Sequence, residues 1–239
     1  MKTETLFENA DVNMARRSFL RYAGVGAAAV GVLAAASCTK GTDNNMGDPV
    51  TPPKNNGIDI GAKGDLAILN YAYALEQLEA AFYINVAAHM YTGASADEIA
   101  LLTDIRDHEV AHREFFKAAL GSNAIVSLTP NFSAIDFSSR TRVLAAAKAF
   151  EDTGVSAYNG AGYLIQNTDY LLLAGKIVSV EARHAAYIRN PVSPGSFADN
   201  MILDANGMDK PQTIARVLAI ANTYLTTKVS ASNYGYVAS

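Results

Sequence analysis

The sequence predicts an all-α fold: a four-helix bundle made of two antiparallel helical hairpins with a long crossover between them, followed by one short helix. Three observations carry this prediction. From Asp65 onward, apolar residues recur at helical spacing over four long stretches. Within each pair of stretches the connection is only a few residues long, which forces antiparallel neighbours, whereas Gly121 to Ser139 separates the pairs. The second pair also repeats the polar residues of the first at nearly constant offsets.

The chain has 239 residues, 50% of them hydrophobic and 18% charged, which suffices for one sizeable core. A formal charge of -4 leaves no basic footprint, so nucleic acid is excluded as a partner. Residues 1–38 read as an address, ARRSFLRYAGVGAAAVGVLAAASC at its centre. Arg16 and Arg17 precede an apolar run from Tyr22 to Ser37 that is too short and too rich in Ala and Gly to span a membrane. The pattern resembles a twin-arginine export signal, the route by which folded proteins cross the bacterial inner membrane. Cys38 is the only cysteine, so no disulfide forms within the chain. The stretch Leu33-Ala-Ala-Ala-Ser-Cys38 resembles a lipobox, with Ala35 where leucine is usual. Lipidation of Cys38 is therefore expected, placing the protein in the bacterial cell envelope, periplasmic or lipid-anchored, with membrane contact through that anchor alone. Residues 39–63 are expected to form a disordered tether, because Thr39 to Asn56 is rich in Pro, Gly, Asn and Asp and nearly devoid of apolar side chains.

The bundle is expected over residues 64–190 and a C-terminal extension with one helix over 191–239. In the first helix Leu66, Leu69, Tyr73, Glu76, Ala80, Tyr83 and Ala87 share a stripe, so a carboxylate sits mid-way along an inward face. Ser95-Ala-Asp-Glu98 is a capping box that opens the second helix, whose stripe runs Leu102, Ile105, Glu109, His112, Phe116 and Ala119. His89 falls at the surface end of the first. The crossover contains Pro130 and no helical period; extended, it reaches roughly 60 Å, enough to cross the bundle. The third helix starts near Arg140 and places Leu144, Ala147, Glu151, Gly154, Tyr158, Ala161 and Ile165 on one face. Gly154, Gly160 and Gly162 each cost it about 1 kcal/mol, which implies close packing or a local break. The fourth follows Asn167-Thr-Asp169, carries Tyr170, Ala174, Ile177, Glu181, His184 and Ile188, and should stop at Pro191. A fifth should start at Pro211, whose missing amide is harmless at a first turn.

Glu76 is followed by Tyr83 and later by Glu109-Val-Ala-His112; Glu151 is followed by Tyr158 at the same spacing and later by Glu181-Ala-Arg-His184. The halves are related by 75 residues at the first Glu and 72 at the second. Glu and His at i and i+3 share a helix face, so each pair offers one oxygen and one nitrogen to the same region. Four buried carboxylates alone would repel and pay a heavy desolvation cost, whereas two divalent cations neutralise them. Mixed carboxylate and imidazole donors suit iron or manganese better than zinc.

These residues resemble the ferritin-like superfamily of di-metal carboxylate proteins, and more closely its exported, twin-arginine-associated branch. The resemblance covers about residues 65 to 190. It implies that Glu76 and Glu151 match the single carboxylates, Glu109 and Glu181 the bridging ones, and His112 and His184 the imidazole ligands. It also implies two metal ions and redox chemistry on dioxygen or peroxide, either iron oxidation or peroxide removal. The sequence alone leaves turnover open. A non-catalytic structural or stress-protective bundle is the alternative, an interaction module a further one, and self-association into a homo-oligomer is neither required nor excluded.

Other residues compete for roles. Glu79 lies on a second apolar stripe with Leu75, Phe82 and Val86 and is an alternative ligand; Glu76 is preferred because it alone reproduces the Glu-to-Tyr spacing of the third helix. Tyr83 and Tyr158 are expected outside the ligand set, as core aromatics with satisfied hydroxyls. His108 opens the sequence HEVAH, which fits a zinc peptidase in which His108 and His112 bind metal and Glu109 is the base. That is the least favoured function, since Val180 stands at the equivalent position of the second hairpin and the extended zincin pattern is missing after His112. His108 is instead expected beside the ligands.

Overall fold

The computed structural model describes residues 57–238. The signal expected over residues 1–38, with Arg16, Arg17 and Cys38, lies outside the described residues.

Helix α1 (Asp65–Ala88) runs through the middle of the fold, and most of its residues on every side are buried. The stripe expected from spacing is therefore too narrow. The segment DLAILNYAYALEQLEAAFYINVAA holds few charges, as a helix covered all round must. The crossover covers the side that a simple bundle would expose. Asn70 Oδ1 accepts from the Ile125 amide at 2.9 Å, and Gln77 Oε1 accepts from the Leu128 amide at 2.8 Å. Phe132 and Phe137 then stack edge-on or tilted against Phe82.

Helix α2 (Ala96–Leu120) begins with the expected capping box: Ser95 Oγ accepts from the Glu98 amide, and Glu98 accepts from the Ser95 amide. Glu98 also pairs with Arg140, which ties the start of α2 to the start of α3 (Arg140–Ala161). Ser139 caps α3, and a single 3-10 turn at Gly162–Leu164 ends it. Asn167 caps α4 (Thr168–Val192), and the Asp65 carboxylate accepts from the amides of Gln166 and Asn167, fastening the α3–α4 turn to the start of α1. Pro191 does not stop α4 but lies in its last turn, where the missing amide forfeits a single helical bond. No helix among the described residues is long and apolar enough to cross a membrane.

Helix α5 (Ile214–Ala221) starts three residues later than expected. The Gln212 amide donates to Ser156 O on α3 at 3.0 Å, and Thr213 is the residue whose side chain caps the helix, so Pro211 stays outside it. The crossing is close: a Cβ on Gly160 would stand 1.7 Å from Gln212 O, whereas one on Gly162 would meet nothing within 4 Å. Gly160→Ala is thus expected to cost about 3 kcal/mol or more, because backbone cannot yield, while Gly162→Ala gains roughly half a kcal/mol by restricting the unfolded chain. Urea unfolding midpoints of the two variants check this contrast.

Residues 57–63, expected within the tether, are part of the fold. Strand β1 (Ile58–Asp59) pairs in parallel with β2 (Val229–Ser230), and Ile60 is buried. The Asp59 carboxylate accepts from Ser232, and Asn233 donates to Gly61 O. The rest of the segment expected as a tether, residues 39–56, lies outside the described residues.

Candidate metal centre

All six predicted ligands converge at mid-height of the bundle. Glu76 comes from α1, Glu109 and His112 from α2, Glu151 from α3, and Glu181 and His184 from α4. Each is buried, and Glu109, Glu151 and Glu181 are 0% exposed. His112 Nδ1 lies 2.9 Å from Glu181 Oε1, 3.4 Å from Glu76 Oε2 and 3.8 Å from Glu109 Oε2. His184 Nδ1 lies 2.8 Å from Glu109 Oε1, 3.5 Å from Glu151 Oε2 and 3.8 Å from Glu181 Oε2. The donors form two groups, Glu76, Glu109, His112, Glu181 and Glu109, Glu151, Glu181, His184, with the ligand atoms of each within 4.8 Å of one another. Glu109 and Glu181 belong to both.

Hydrogen bonding separates the carboxylates into two kinds. Tyr158 donates to Glu76 Oε1 at 2.5 Å, and Tyr83 donates to Glu151 Oε1 at 2.5 Å. Each tyrosine therefore serves the opposite hairpin. The exchange follows from two equal seven-residue spacings on helices that run antiparallel, about 10 Å between the two bonds along the axis. It leaves Glu76 and Glu151 one buried oxygen each without a partner, while Glu109 and Glu181 have both oxygens unpartnered. Nδ1 of His112 and of His184 are likewise buried without a hydrogen-bond partner. Buried polar atoms are almost always satisfied, and eight such atoms facing one another form groups that could hold metal ions. Two cations sharing two carboxylates, each with one further carboxylate and one imidazole, satisfy all eight. The donor set is hard oxygen with one nitrogen per position, a combination that suits divalent metal ions.

Protons balance these groups when no metal is bound. Burial, reinforced by the neighbouring Glu181 charge, pushes Glu109 up to about 8. Burial likewise raises Glu151 to about 7. Burial opposes ionisation of Glu181 too, but the positive charges of the His112 and His184 rings beside it hold it down at about 2. Burial disfavours a charged His184, yet Glu109, Glu151 and Glu181 raise it to about 12, and the carboxylates hold His112 well above the usual histidine range.

The remaining predicted residues separate cleanly. Glu79 is buried but belongs to neither group. Its Oε1 occupies the space in which a Gly154 side chain would begin, 2.9 Å from an ideal Cβ. Burial first, then the charges of Glu181, Glu109, Glu151 and Glu76, keep Glu79 well above the usual carboxylate range. The sequence held a signal for this arrangement: Gly154 stands 75 residues after Glu79, as Glu151 does after Glu76. His108 also belongs to neither group. Its exposed ring lies parallel to that of His184, with Nδ1 2.9 Å from His184 Nε2. Because His108 pairs with His184 and joins neither ligand group, HEVAH does not supply a zincin ligand pair. His89 is exposed and bonds back to Asn85 at the end of α1.

Compared with known families, residues 64–193 match a ferritin-like domain. No curated protein matches the chain.

Proposed function

Starting from the chain's membership of the ferritin-like domain family, which spans more than half its length, we propose that the bundle holds two metal ions, iron or manganese, and performs redox chemistry on dioxygen or peroxide. The observation that carries this is the set of eight orphaned donor atoms shared between two overlapping groups. When bound, two such ions supply paired one-electron steps, suited to oxidising ferrous iron or removing peroxide.

The chain's own residues divide the work. Glu109 and Glu181, which belong to both groups, would contribute to holding both ions. Glu76 with His112 completes one and Glu151 with His184 the other. Tyr83 and Tyr158 fix the rotation of the two terminal carboxylates, leaving one oxygen of each aimed inward. Leu69, Phe115, Phe116 and Ile177 pack together one to two helical turns from the ligands and keep bulk water from that end. The twin-arginine pattern and Cys38 support export, with the site working at a lipid anchor in the cell envelope.

The test is metal content of the full chain, purified without stripping or adding metal, followed by ferrous oxidation and peroxide consumption assays. Two iron or manganese ions per chain and a turnover abolished in the Glu109→Ala, Glu181→Ala double variant are expected. Two ions without turnover would leave a bundle stapled by metal, and a single zinc would return HEVAH to consideration as a peptidase motif.

A further inference from the structure

The two proposed metal positions are matched in their ligands and differ just outside them. Each would draw on one imidazole whose Nδ1 faces the carboxylates, one carboxylate held by a tyrosine, and a share of Glu109 and Glu181. Behind His184, however, stands His108, with its Nδ1 2.9 Å from His184 Nε2. Behind His112 the repeat supplies Val180 in the corresponding place, and no protein group among the described residues bonds His112 Nε2.

The chemistry of a neutral imidazole fixes the direction of the bond. It carries one N–H, so a His184 ring that gives its Nδ1 lone pair to a metal keeps its proton on Nε2. That N–H then donates to His108 Nδ1, and the His108 proton sits on Nε2, on the solvent side of α2. An acceptor behind a ligating histidine fixes its tautomer and ring orientation and raises its basicity. His184 has such an acceptor within the protein, while His112 must rely on water.

We propose that His108 is a positioning residue that makes the Glu151–His184 position the tighter of the two, so that the centre fills in a set order. The inference rests on the two-metal reading and adds an inequality to it. It also gives HEVAH a use for its leading histidine that does not require peptidase geometry.

Stepwise titration of the metal-free full chain with cobalt(II), followed by calorimetry and by the visible absorption of the bound ion, tests the proposal. Wild type should show two steps with constants about ten- to a hundredfold apart. His108→Ala should weaken the tighter step by a similar factor and leave the weaker one in place, so that the steps merge at an unchanged total of two ions. His108→Gln, whose amide oxygen still accepts from His184 Nε2–H, should restore much of the gap. A general loss of packing would lower both steps together and would not be rescued by Gln. Two equal steps in wild type, or a His108→Ala variant that weakens both alike, would overturn the proposal while leaving the two-metal reading intact. Fewer than two ions per wild-type chain would take down both.

Discussion

Metal affinity is expected to climb by roughly a thousandfold per pH unit near pH 7. The reason is that the ligands arrive protonated. At that pH His184, raised to about 12, and His112, also raised, each carry a proton that a metal must displace. Glu109, near 8, holds most of another, and Glu151, near 7, about half of one. Loading therefore releases roughly three protons, and each contributes a factor of ten per unit of pH. As pH rises past about 8 and Glu109 ionises, the slope should fall. Calorimetric titration in buffers of different ionisation enthalpy counts these protons directly; a release of less than one would contradict the charge assignment. Stability of the metal-free protein carries the opposite sign. Groups raised in the folded state stabilise it at low pH and lose that contribution as pH rises through their folded values, from the ordinary 4.5 toward 8 for Glu109. Glu181 behaves inversely, its contribution vanishing only as pH falls toward 2. The metal-free chain should thus melt lower at pH 8 than at pH 6, and bound metal should reverse the order.

Arg189→Ala is expected to destabilise the fold by about 3 kcal/mol or more. Arg189 is 0% exposed, yet every nitrogen of its fork is used. Nε donates to Ser196 O at 2.7 Å, Nη1 to Asp152 at 2.6 Å and Nη2 to Asp199 at 2.7 Å. Removing it strands the Asp152 carboxylate, which burial already pushes above its usual range even with the guanidinium beside it. Asp152 follows Glu151 on α3, so the loss loosens α3 against α4 next to the ligands. Chemical denaturation measures the cost, and Asp199→Asn, at the exposed end of the same network, should show a smaller one.

Local signals made the ligands legible, and long-range ones hid their surroundings. Glu-x-x-His, the capping box at Ser95 and the cap at Asn167 all depend on neighbours within one turn, so the sequence displays them directly. The seven-residue spacing of Glu76 and Tyr83 was equally visible, but its use was not. Within one helix it suggests two residues stacked two turns apart, and only the antiparallel packing of α1 on α3 reveals that each tyrosine reaches the other carboxylate. The burial of α1 on all sides depends on where the crossover lies, which no helical periodicity encodes. Strand β1 escaped notice for a similar reason: two residues beside a polar run carry no pattern of their own, and their partner lies 171 residues away. The burial of Arg189 has no local signal either, because its acceptors lie on α3 and in the segment that follows α4.

The contact of Glu79 with Gly154 bears on how such a centre can be assembled at all. The two positions correspond in the two halves, and they face each other so closely that one carboxyl group fills the room of both. Two identical hairpins paired as separate subunits would have to place the same residue at both points. Two glutamates would collide there, and two glycines would leave a hole beside the ligands. A fifth acid next to the centre is therefore available only to a chain that carries both halves in series, where one copy can lose its side chain to make room for the other.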